Sequence, residues 1–310
     1  MRSSLVLFQV KFRKPVMNDK VKGFLFGAVG AAAYGMNPLF ALPLYSKGLD
    51  ADSVLFYRYI LSVVLLGVLM KFQRQSFRLN RNEILPLIIA GLLFAVSSLL
   101  LFVSYRYMDV GIASTILFVY PVMVAVIMAL FFHEKTNLAT VISIILALSG
   151  IALLYRGGDG GPLSFTGIML VILSALSYAI YMVGVKQSVL KNLPVIKLTF
   201  YVLLFGLTIY IIRLNFCLDL HMVSSWQGWV NAVGIALFPT VVSLLCTTLA
   251  IHHIGATPAA ILGALEPTTA VFIGVVVFGE SLTFRLIVGI MLIIVSVSLI
   301  ITGKPVQKSL

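Results

Sequence analysis

The sequence predicts an all-α integral membrane protein with ten transmembrane helices, arranged as two five-helix repeats of opposite orientation. Three observations predict this fold class. The 310 residues are 61% hydrophobic and only 10% charged, and the mean hydropathy is +1.10. Apolar runs of about 20 residues, the helix length that crosses about 30 Å of hydrocarbon, recur from end to end. Motifs of the first half also recur in the second half at the same internal spacing.

Each half of the chain contains five apolar runs that are long enough to span a membrane. The first five runs cover residues 22–45, 52–71, 84–105, 110–132 and 138–155, and the second five cover 165–186, 195–213, 229–251, 257–279 and 283–302. We therefore expect a cytoplasmic N-terminal segment 1–21, a first repeat 22–155, a linker 156–164, a second repeat 165–302 and a cytoplasmic tail 303–310. The loops are short, so no inserted soluble domain is expected.

The recurring motifs lie about 145 residues apart. They are Pro121 with Glu134 and Pro267 with Glu280, thirteen residues apart in each pair, and Gly23 with Tyr34 and Gly167 with Tyr178, eleven residues apart in each pair. Because each unit holds five spans, an odd number, the second unit must be upside down in the bilayer. This arrangement is the sequence signature of a secondary transporter whose substrate site lies between the halves.

The distribution of positive charge predicts the orientation of the chain. The net charge is +12, from 22 Lys and Arg against 10 Asp and Glu. With the N-terminus in the cytoplasm, the far side receives only Lys47, Arg106, Arg156, Arg213 and Arg285, and Arg58 lies within a span. All the other basic residues fall on the cytoplasmic side, which is the bias expected when both termini are cytoplasmic. This topological role accounts for the charge, so nucleic acid is not expected as a partner.

Residues 1–20 are basic with a short apolar patch and are not expected to be a cleaved signal peptide. Met17 is an alternative start.

The sequence contains no motif that predicts an enzyme or an ATP-driven pump. We find no H-E-x-x-H, no G-x-S-x-G and no Walker A sequence, so we expect no catalysis, no ATP hydrolysis, no cofactor and no metal site. The two cysteines, Cys217 in a predicted outer loop and Cys246 within a span, are not expected to form a disulfide.

Helix depth points to a candidate substrate site. Glu266 and Tyr120 each lie about ten residues, or roughly 15 Å, into a span, near the middle of the hydrocarbon. Each directly precedes a proline, Pro267 or Pro121, which removes a helical hydrogen bond and favours a kink. Interrupted helices at corresponding places of two inverted halves are typical of a transporter site. We therefore place the site among spans 1, 3, 4, 6, 8 and 9.

Other polar residues at similar depth are candidates for binding substrate. They are the tyrosines Tyr34, Tyr178 and Tyr181, together with Asn37, Ser97 and Thr247. A tyrosine offers a ring face and a hydroxyl to an organic ligand, but it is equally common in ordinary interior packing. The hydroxyls of Ser and Thr in a span often bond only to neighbouring backbone. The sequence leaves both interpretations open for each of these side chains.

The two charged residues expected inside the spans carry opposite charges. A carboxylate such as Glu266 at mid-membrane costs on the order of 3 kcal/mol, so it should face a wet cavity or a partner. It could bind a substrate amine, carry a proton, or brace the kink as a protonated, hydrogen-bonded group. Arg58 enters its span after about seven residues and is shallow enough to snorkel to the interface. It is either a counter-ion to a substrate carboxylate or a structural anchor, and the depth favours the anchor.

The scarcity of buried cations limits the substrate class. Phosphorylated substrates would require several Lys or Arg at the site. Apart from Arg58, the Lys and Arg of the predicted spans, including the terminal Lys186, lie within three residues of a span end. We therefore expect neutral, zwitterionic or cationic small molecules.

Several segments resemble the two repeat patterns of the EamA family, within the drug/metabolite transporter superfamily. In the second half they are Gly255-Ala256-Thr257-Pro258-Ala259-Ala260, Leu265-Glu266-Pro267 and Gly279-Glu280-Ser281-Leu282-Thr283; in the first half they are Tyr57-Arg58-Tyr59, the run from Tyr105 to Ser114, and Tyr120-Pro121 with Glu134. The resemblance covers nearly all of 22–302. It implies a ten-helix carrier of small organic metabolites or drugs, often an exporter, in a cytoplasmic membrane. His133-Glu134 stands where the family more usually has a Gly-Glu pair.

Taken together, these features predict a secondary transporter in the cell inner membrane, operating by alternating access. The expected substrates are amino acids, amines or related neutral or cationic compounds, moved outward. The expected partners are the substrate, the lipid bilayer and coupling protons, and the protein is expected to be a monomer or a homodimer. A metabolite-permeable channel is the main alternative, followed by a multidrug efflux carrier and a membrane enzyme.

Overall fold

The computed structural model describes residues 19–133, 138–154, 164–254, 259 and 262–303. Glu134, the motif at 255–258 and linker residues 156–163 lie outside these ranges. Within them, all regular secondary structure is helical, which confirms the predicted all-α class. The first-half helices are α1 Asp19–Gly35, α2 Asn37–Ser46, α3 Ala51–Phe72, α4 Arg81–Ser104, α5 Val110–Leu117, α6 Tyr120–Phe132 and α7 Leu138–Leu154. The second-half helices are α8 Phe165–Gln187, α9 Val195–Arg213, α10 Trp226–Ala236, α11 Ser243–Ile254, α12 Leu265–Phe278 and α13 Phe284–Gly303.

Seven helical segments of the described residues are long and apolar enough to cross a membrane. They are Asp19–Ser46, Ala51–Phe72, Arg81–Ser104, Val110–Phe132, Phe165–Gln187, Val195–Arg213 and Trp226–Ile251. Three shorter apolar helices, Val141–Leu153, Leu265–Phe278 and Phe284–Leu299, fall within the remaining predicted spans. A multi-pass membrane protein is therefore supported, and the count of ten crossings and their orientation remain predictions.

Polar caps begin several of these helices where the apolar runs start. The Asp50 carboxylate accepts a hydrogen bond from the Ser53 amide at 3.0 Å at the start of α3. Asn80 and Glu83 form a reciprocal capping box at the start of α4. The Ser164 hydroxyl caps α8 as Asp50 caps α3, by accepting a hydrogen bond from the Gly167 amide. These side chains satisfy amides that would otherwise lack partners at a helix N-terminus.

The packing of helices is consistent with two equivalent halves. Helix α1 of the first half packs on α11 of the second. The equivalent of α1 is α8, and the equivalent of the α10–α11 segment is α4. Helices α8 and α4 also pack on each other. Helices α3 and α9 pack on each other, and so do α7 and α13; each of these two contacts joins a helix to its equivalent in the other half. Exchanging the two halves leaves these contacts unchanged, as expected for a duplicated unit. Helix α12, the equivalent of α6, packs on α5.

Four of the apolar segments are interrupted. Met36 separates α1 from α2, residues 118–119 separate α5 from α6, and residues 263–264 directly precede α12. Between α10 and α11 the chain forms a π-helix over Leu237–Val242. Pro121 is the second residue of α6, and Pro267 is the third residue of α12. Two of these interruptions thus lie at corresponding places in the two halves.

The polarity of the molecule is reversed relative to a water-soluble protein. Large apolar side chains such as Phe131, Phe272 and Phe284 are more than 60% exposed. Arg58 and Ser174, by contrast, are buried between helices. An apolar exterior and polar groups in the interior are expected for a chain whose surroundings are lipid tails.

Candidate functional site

The candidate site is built around Tyr34, at the C-terminal end of α1. Its hydroxyl interacts electrostatically with both the Glu266 carboxyl and the Arg58 guanidinium. Gly35, the next residue, packs its Cα against the carbonyl oxygen of Glu266, so that the backbones of α1 and α12 come close together. A side chain at position 35 would push these helices apart. This close approach places Tyr34 beside Glu266.

Glu266 is the second residue of α12, directly after an interruption. A carboxylate in the first turn of a helix is favoured by the positive end of the helix dipole. The side chain is partly buried and has no cationic group within 4.0 Å among the residues that the structure describes. The tyrosine hydroxyls of Tyr34, Tyr105 and Tyr120 are within electrostatic reach of it. Glu266 is therefore an acidic group with aromatic rather than cationic neighbours.

Aromatic side chains from three helices form a continuous cluster next to this carboxyl. The rings of Tyr120 (α6) and Tyr178 (α8) meet edge to face, with centroids 4.6 Å apart. Tyr181 stacks on Tyr178 at 5.6 Å, and Phe94 of α4 lies 5.3 Å from Tyr181. Ring faces with adjacent hydroxyls suit an organic ligand that is part apolar and part polar.

Arg58 does not snorkel, contrary to the expectation from its depth in the sequence. Its side chain is only 2% exposed and lies inside the bundle. The Nε atom donates to the Thr240 hydroxyl at 3.2 Å, and the guanidinium carbon lies 5.5 Å from the Phe102 ring centre. Helix α3 packs on α4 and on the π-helix segment, which turns this face of α3 inward. For this reason the side chain extends toward the interior and not toward the interface.

We call Tyr34, Arg58, Tyr120, Tyr178 and Glu266 the central site. Asn37 lies next to it: its amide nitrogen donates to the Tyr34 carbonyl at 2.9 Å. The Asn37 side chain is 3% exposed, and its Oδ1 has no hydrogen-bond partner among the described residues. This oxygen is an acceptor that a bound ligand could use.

Two of the candidate site residues, Ser97 and Thr247, make contacts between helices. The Ser97 hydroxyl lies 3.1 Å from that of Ser174, and the Ser174 hydroxyl donates to the Ser97 carbonyl at 2.7 Å, joining α4 to α8. Thr247 packs closely against Gly30, where α1 meets α11. Both side chains stabilise contacts between helices that surround the central site.

The sequence did not identify Thr240 or Phe102 as neighbours of Arg58. Thr240 follows Pro239 within the π-helix. Proline in the middle of an apolar run is a common cause of helix irregularity. Pro239 is therefore a sequence signal that the helix is irregular next to Thr240. Phe102 carries no comparable signal, because its position against Arg58 depends on the packing of α4 on α3.

Glu280 connects the two halves at the end of α12. Its Oε1 accepts from the Val110 amide at 2.6 Å, and its Oε2 accepts from the Gly111 amide at 3.2 Å. The carboxylate thus caps the N-terminus of α5. Burial raises the pKa of the Glu280 carboxyl, and the two amide hydrogen bonds act in the opposite direction. The motif that the sequence showed twice therefore forms a contact between the halves in its second copy.

No cluster of three or more His, Cys, Asp or Glu that could hold a metal is present within the described part of the chain. The side chains of the central site supply charge, hydrogen bonds and ring faces, which serve to bind and orient a molecule.

A model of the EamA-like transporter family matches the chain twice, over residues 21–156 and over residues 165–302. The chain belongs to this family. The two matches correspond to the two halves seen in the helix packing, and they identify the protein as a membrane transporter.

Curated relatives of this EamA-like transporter are themselves called uncharacterized transporters. One from Archaeoglobus fulgidus is 31% identical over 181 residues, which is 58% of this chain and 63% of the relative, so the match spans less than two thirds of that protein. A second protein from the same organism is 25% identical over 270 residues, 84% of this chain and 91% of the relative. YvbV of Bacillus subtilis is 25% identical over 209 residues, 67% of this chain and 68% of the relative.

A protein of known crystal structure has the same fold. It aligns with a TM-score of 0.62 over 90% of this chain and 96% of its own, at 16% sequence identity. At this identity the likeness concerns the fold alone.

Proposed function

We propose that this EamA-like transporter is a secondary carrier that moves small organic molecules through the central site by alternating access. The observation that carries the proposal is the position of Glu266, a partly buried carboxyl at a helix interruption, with no cation within 4.0 Å among the described residues. It lies within electrostatic reach of Tyr34 and Tyr120 of the first half and Tyr178 of the second. Groups of this kind inside a membrane bundle mark substrate or proton pathways. Two halves that meet around such a site can expose it to one side at a time.

The chemistry of the site favours amino acids, amines or related neutral or cationic compounds as substrates. Glu266 offers one negative charge, the Tyr120, Tyr178 and Tyr181 rings offer apolar faces, and Arg58 is the buried guanidinium of the site. An organic ammonium ion would pair with the carboxylate and lie against the rings. A phosphorylated substrate would find too few positive charges.

We further propose that the protein exports its substrate from the cytoplasm across the inner membrane. It acts as a monomer or a homodimer. The Lys and Arg bias supports cytoplasmic termini. Glu266 would couple transport to protons by binding a proton in one half of the cycle and a substrate ammonium in the other. Such an exchange needs no ATP.

The test is substrate counterflow in proteoliposomes, using the common amino acids and their decarboxylated amines as labelled solutes. We expect saturable, counterflow-stimulated uptake by the wild type. Glu266→Gln should abolish proton-dependent transport while the protein stays monodisperse, and Asp219→Asn, a change at an exposed outer carboxylate, should have no effect. Unaltered transport and pH dependence in Glu266→Gln would assign Glu266 to the scaffold. Flux that never saturates would instead indicate a channel.

A further inference from the structure

We propose that Arg58 is the carboxylate-binding end of the central site, so that the site selects solutes carrying both a carboxylate and an ammonium group. This inference rests on the proposed transport function and extends it by assigning Arg58 to the substrate. It concerns the chemical class of the substrate, an amphoteric organic molecule.

Arg58 is a buried charge without a carboxylate partner among the described residues. Arg58 is 2% exposed, and among the described residues no carboxylate oxygen lies within 4.0 Å of it. Buried guanidinium groups are normally paired, because removing a charge from water is expensive unless a counter-charge replaces the lost hydration. A negatively charged ligand group would supply that counter-charge. This arrangement is expected if the missing partner arrives with the substrate.

The orientation of the Arg58 guanidinium is set by its neighbours. Its Nε donates to the Thr240 hydroxyl, which in turn donates to the Ile235 carbonyl at 3.3 Å. The Phe102 ring lies against the guanidinium carbon at 5.5 Å. These contacts fix the edge of the guanidinium that carries Nε, and the Tyr34 hydroxyl also hydrogen-bonds to the guanidinium. A guanidinium held in this way matches the two oxygens of a carboxylate.

The opposite charge lies close to the same tyrosine. Tyr34 interacts electrostatically with Glu266 and both electrostatically and by a hydrogen bond with Arg58. Arg58 and Glu266 do not form a salt bridge with each other. An amine alone would pair Glu266 and leave Arg58 without an anion, and an organic acid alone would do the reverse. Only a solute with both groups pairs both residues.

The location of Arg58 separates this role from that of an ordinary membrane anchor. Helices of both halves surround it, because α3 and α4 belong to the first half and the π-helix with Thr240 to the second. A ligand bound to Arg58 and Glu266 would therefore contact both halves. A charge used only to anchor α3 would not need this position.

The test begins with a thermal-shift screen of the purified wild type against the common amino acids, followed by proteoliposome transport. The amino acid that stabilises most is compared with its own decarboxylated amine and its own deaminated acid. The wild type should bind the intact amino acid at least tenfold more tightly than either analogue, which corresponds to one lost charge-assisted interaction. Equal affinity for the amino acid and its amine would overturn the proposal, and so would a wild type that transports solutes but binds no amino acid.

Two substitutions test whether Arg58 is the residue that confers the preference for the intact amino acid. Arg58→Gln should weaken amino-acid binding to the level of the amine while leaving the affinity for the amine unchanged, and Arg106→Gln, the same change at an exposed outer arginine, should alter neither. Unchanged affinity for the amino acid in folded Arg58→Gln would refute the assignment. Should that variant not fold, Arg58→Lys keeps the charge, and it should weaken amino-acid binding selectively because the bidentate geometry is lost.

The outcomes also separate this inference from the function on which it rests. Saturable transport of amines with no preference for a carboxylate would refute the role of Arg58 and leave the carrier proposal standing. Absence of saturable transport for every solute in the panel would refute both.

Discussion

Removing the Glu280 carboxylate should loosen the contact between the two halves. Glu280→Ala deletes the acceptors for the amides of Val110 and Gly111, which lie 2.6 and 3.2 Å away. Each charge-assisted hydrogen bond contributes about 1.5–3 kcal/mol, and burial of the carboxylate offsets part of this. We expect a net loss of about 1–2 kcal/mol, typical of a lost helix cap, or about 3–6 °C in the midpoint of thermal unfolding.

A glycine of α12, the helix that Glu280 follows, gives an independent test of the same contact. Gly274 lies so close to the Glu280 carboxylate that a Cβ at position 274 would overlap its Oε2 and Cδ atoms. Gly274→Ala should therefore displace the carboxylate and destabilise the protein about as much as Glu280→Ala. In the double variant the obstruction is gone, so the two losses should not add.

The assay is thermal unfolding of the four detergent-purified proteins, followed by size-exclusion chromatography. Additive losses in the double variant would show that Gly274 acts through something other than Glu280. No loss in Glu280→Ala would refute the capping argument itself.

The pH dependence of this contact has a definite sign. The raised pKa of Glu280 means that folding favours the protonated carboxyl. The resulting stabilisation is complete below the unfolded pKa of about 4.3 and is lost as pH rises through the folded value. The stability of the wild type relative to Glu280→Gln should therefore decrease from acidic to neutral pH, as measured by thermal unfolding. An increase would contradict the pKa argument.

Three further substitutions test the outer cap, the interior packing and the ring cluster. Burial acts to raise the pKa of Asp50, but hydrogen bonds from the Ser53 hydroxyl and amide lower it overall, so Asp50→Ala should cost about 1 kcal/mol at neutral pH. The loss, measured by thermal unfolding, should shrink as pH falls below about 4, and a loss that stays constant into acid would contradict this. Ser174→Ala removes two buried hydrogen bonds and should lower stability by about 1–3 kcal/mol; an unchanged midpoint would contradict this. Tyr178→Phe keeps the ring contact and should retain substrate affinity better than Tyr178→Ala, which removes the contact worth about 0.5–1.5 kcal/mol. Equal affinities in a binding titration would exclude a role for the ring.

The sequence predicted the apolar helices well, because the thickness of the hydrocarbon core sets the length that each apolar run must have. The predicted runs 52–71 and 195–213 correspond to helices Ala51–Phe72 and Val195–Arg213. Hydropathy contains no comparable information about irregularities inside a run. The π-helix at Leu237–Val242 contains Pro239, and Pro38 follows the break at Met36, so a proline marks each place. Neither irregularity was predicted, because a proline does not by itself indicate which irregularity the helix adopts.

Side-chain direction at the site could not be predicted from the sequence. Depth along a helix showed that Arg58 could snorkel, but which face of α3 meets the interior is decided by neighbouring helices. The sequence left open whether Ser97 binds substrate or packs; the structure adds its contact with Ser174 of α8, and a role in substrate binding stays a prediction. By contrast, Tyr34 and Glu266 could be grouped from sequence, because the repeat and the proline motif placed both at similar depth.

The central claim is that the second half is an inverted copy of the first. It is tested most directly by measuring on which side of the membrane two equivalent loops lie. Lys47 follows the first apolar segment, and Lys191 lies at the equivalent place in the second half; both side chains are exposed. In a background without Cys217 and Cys246, Lys47→Cys and Lys191→Cys are treated in intact cells with a membrane-impermeant maleimide. The inverted arrangement predicts labelling of Lys47→Cys from outside and of Lys191→Cys only after permeabilisation. Labelling of both positions from the same side would contradict it.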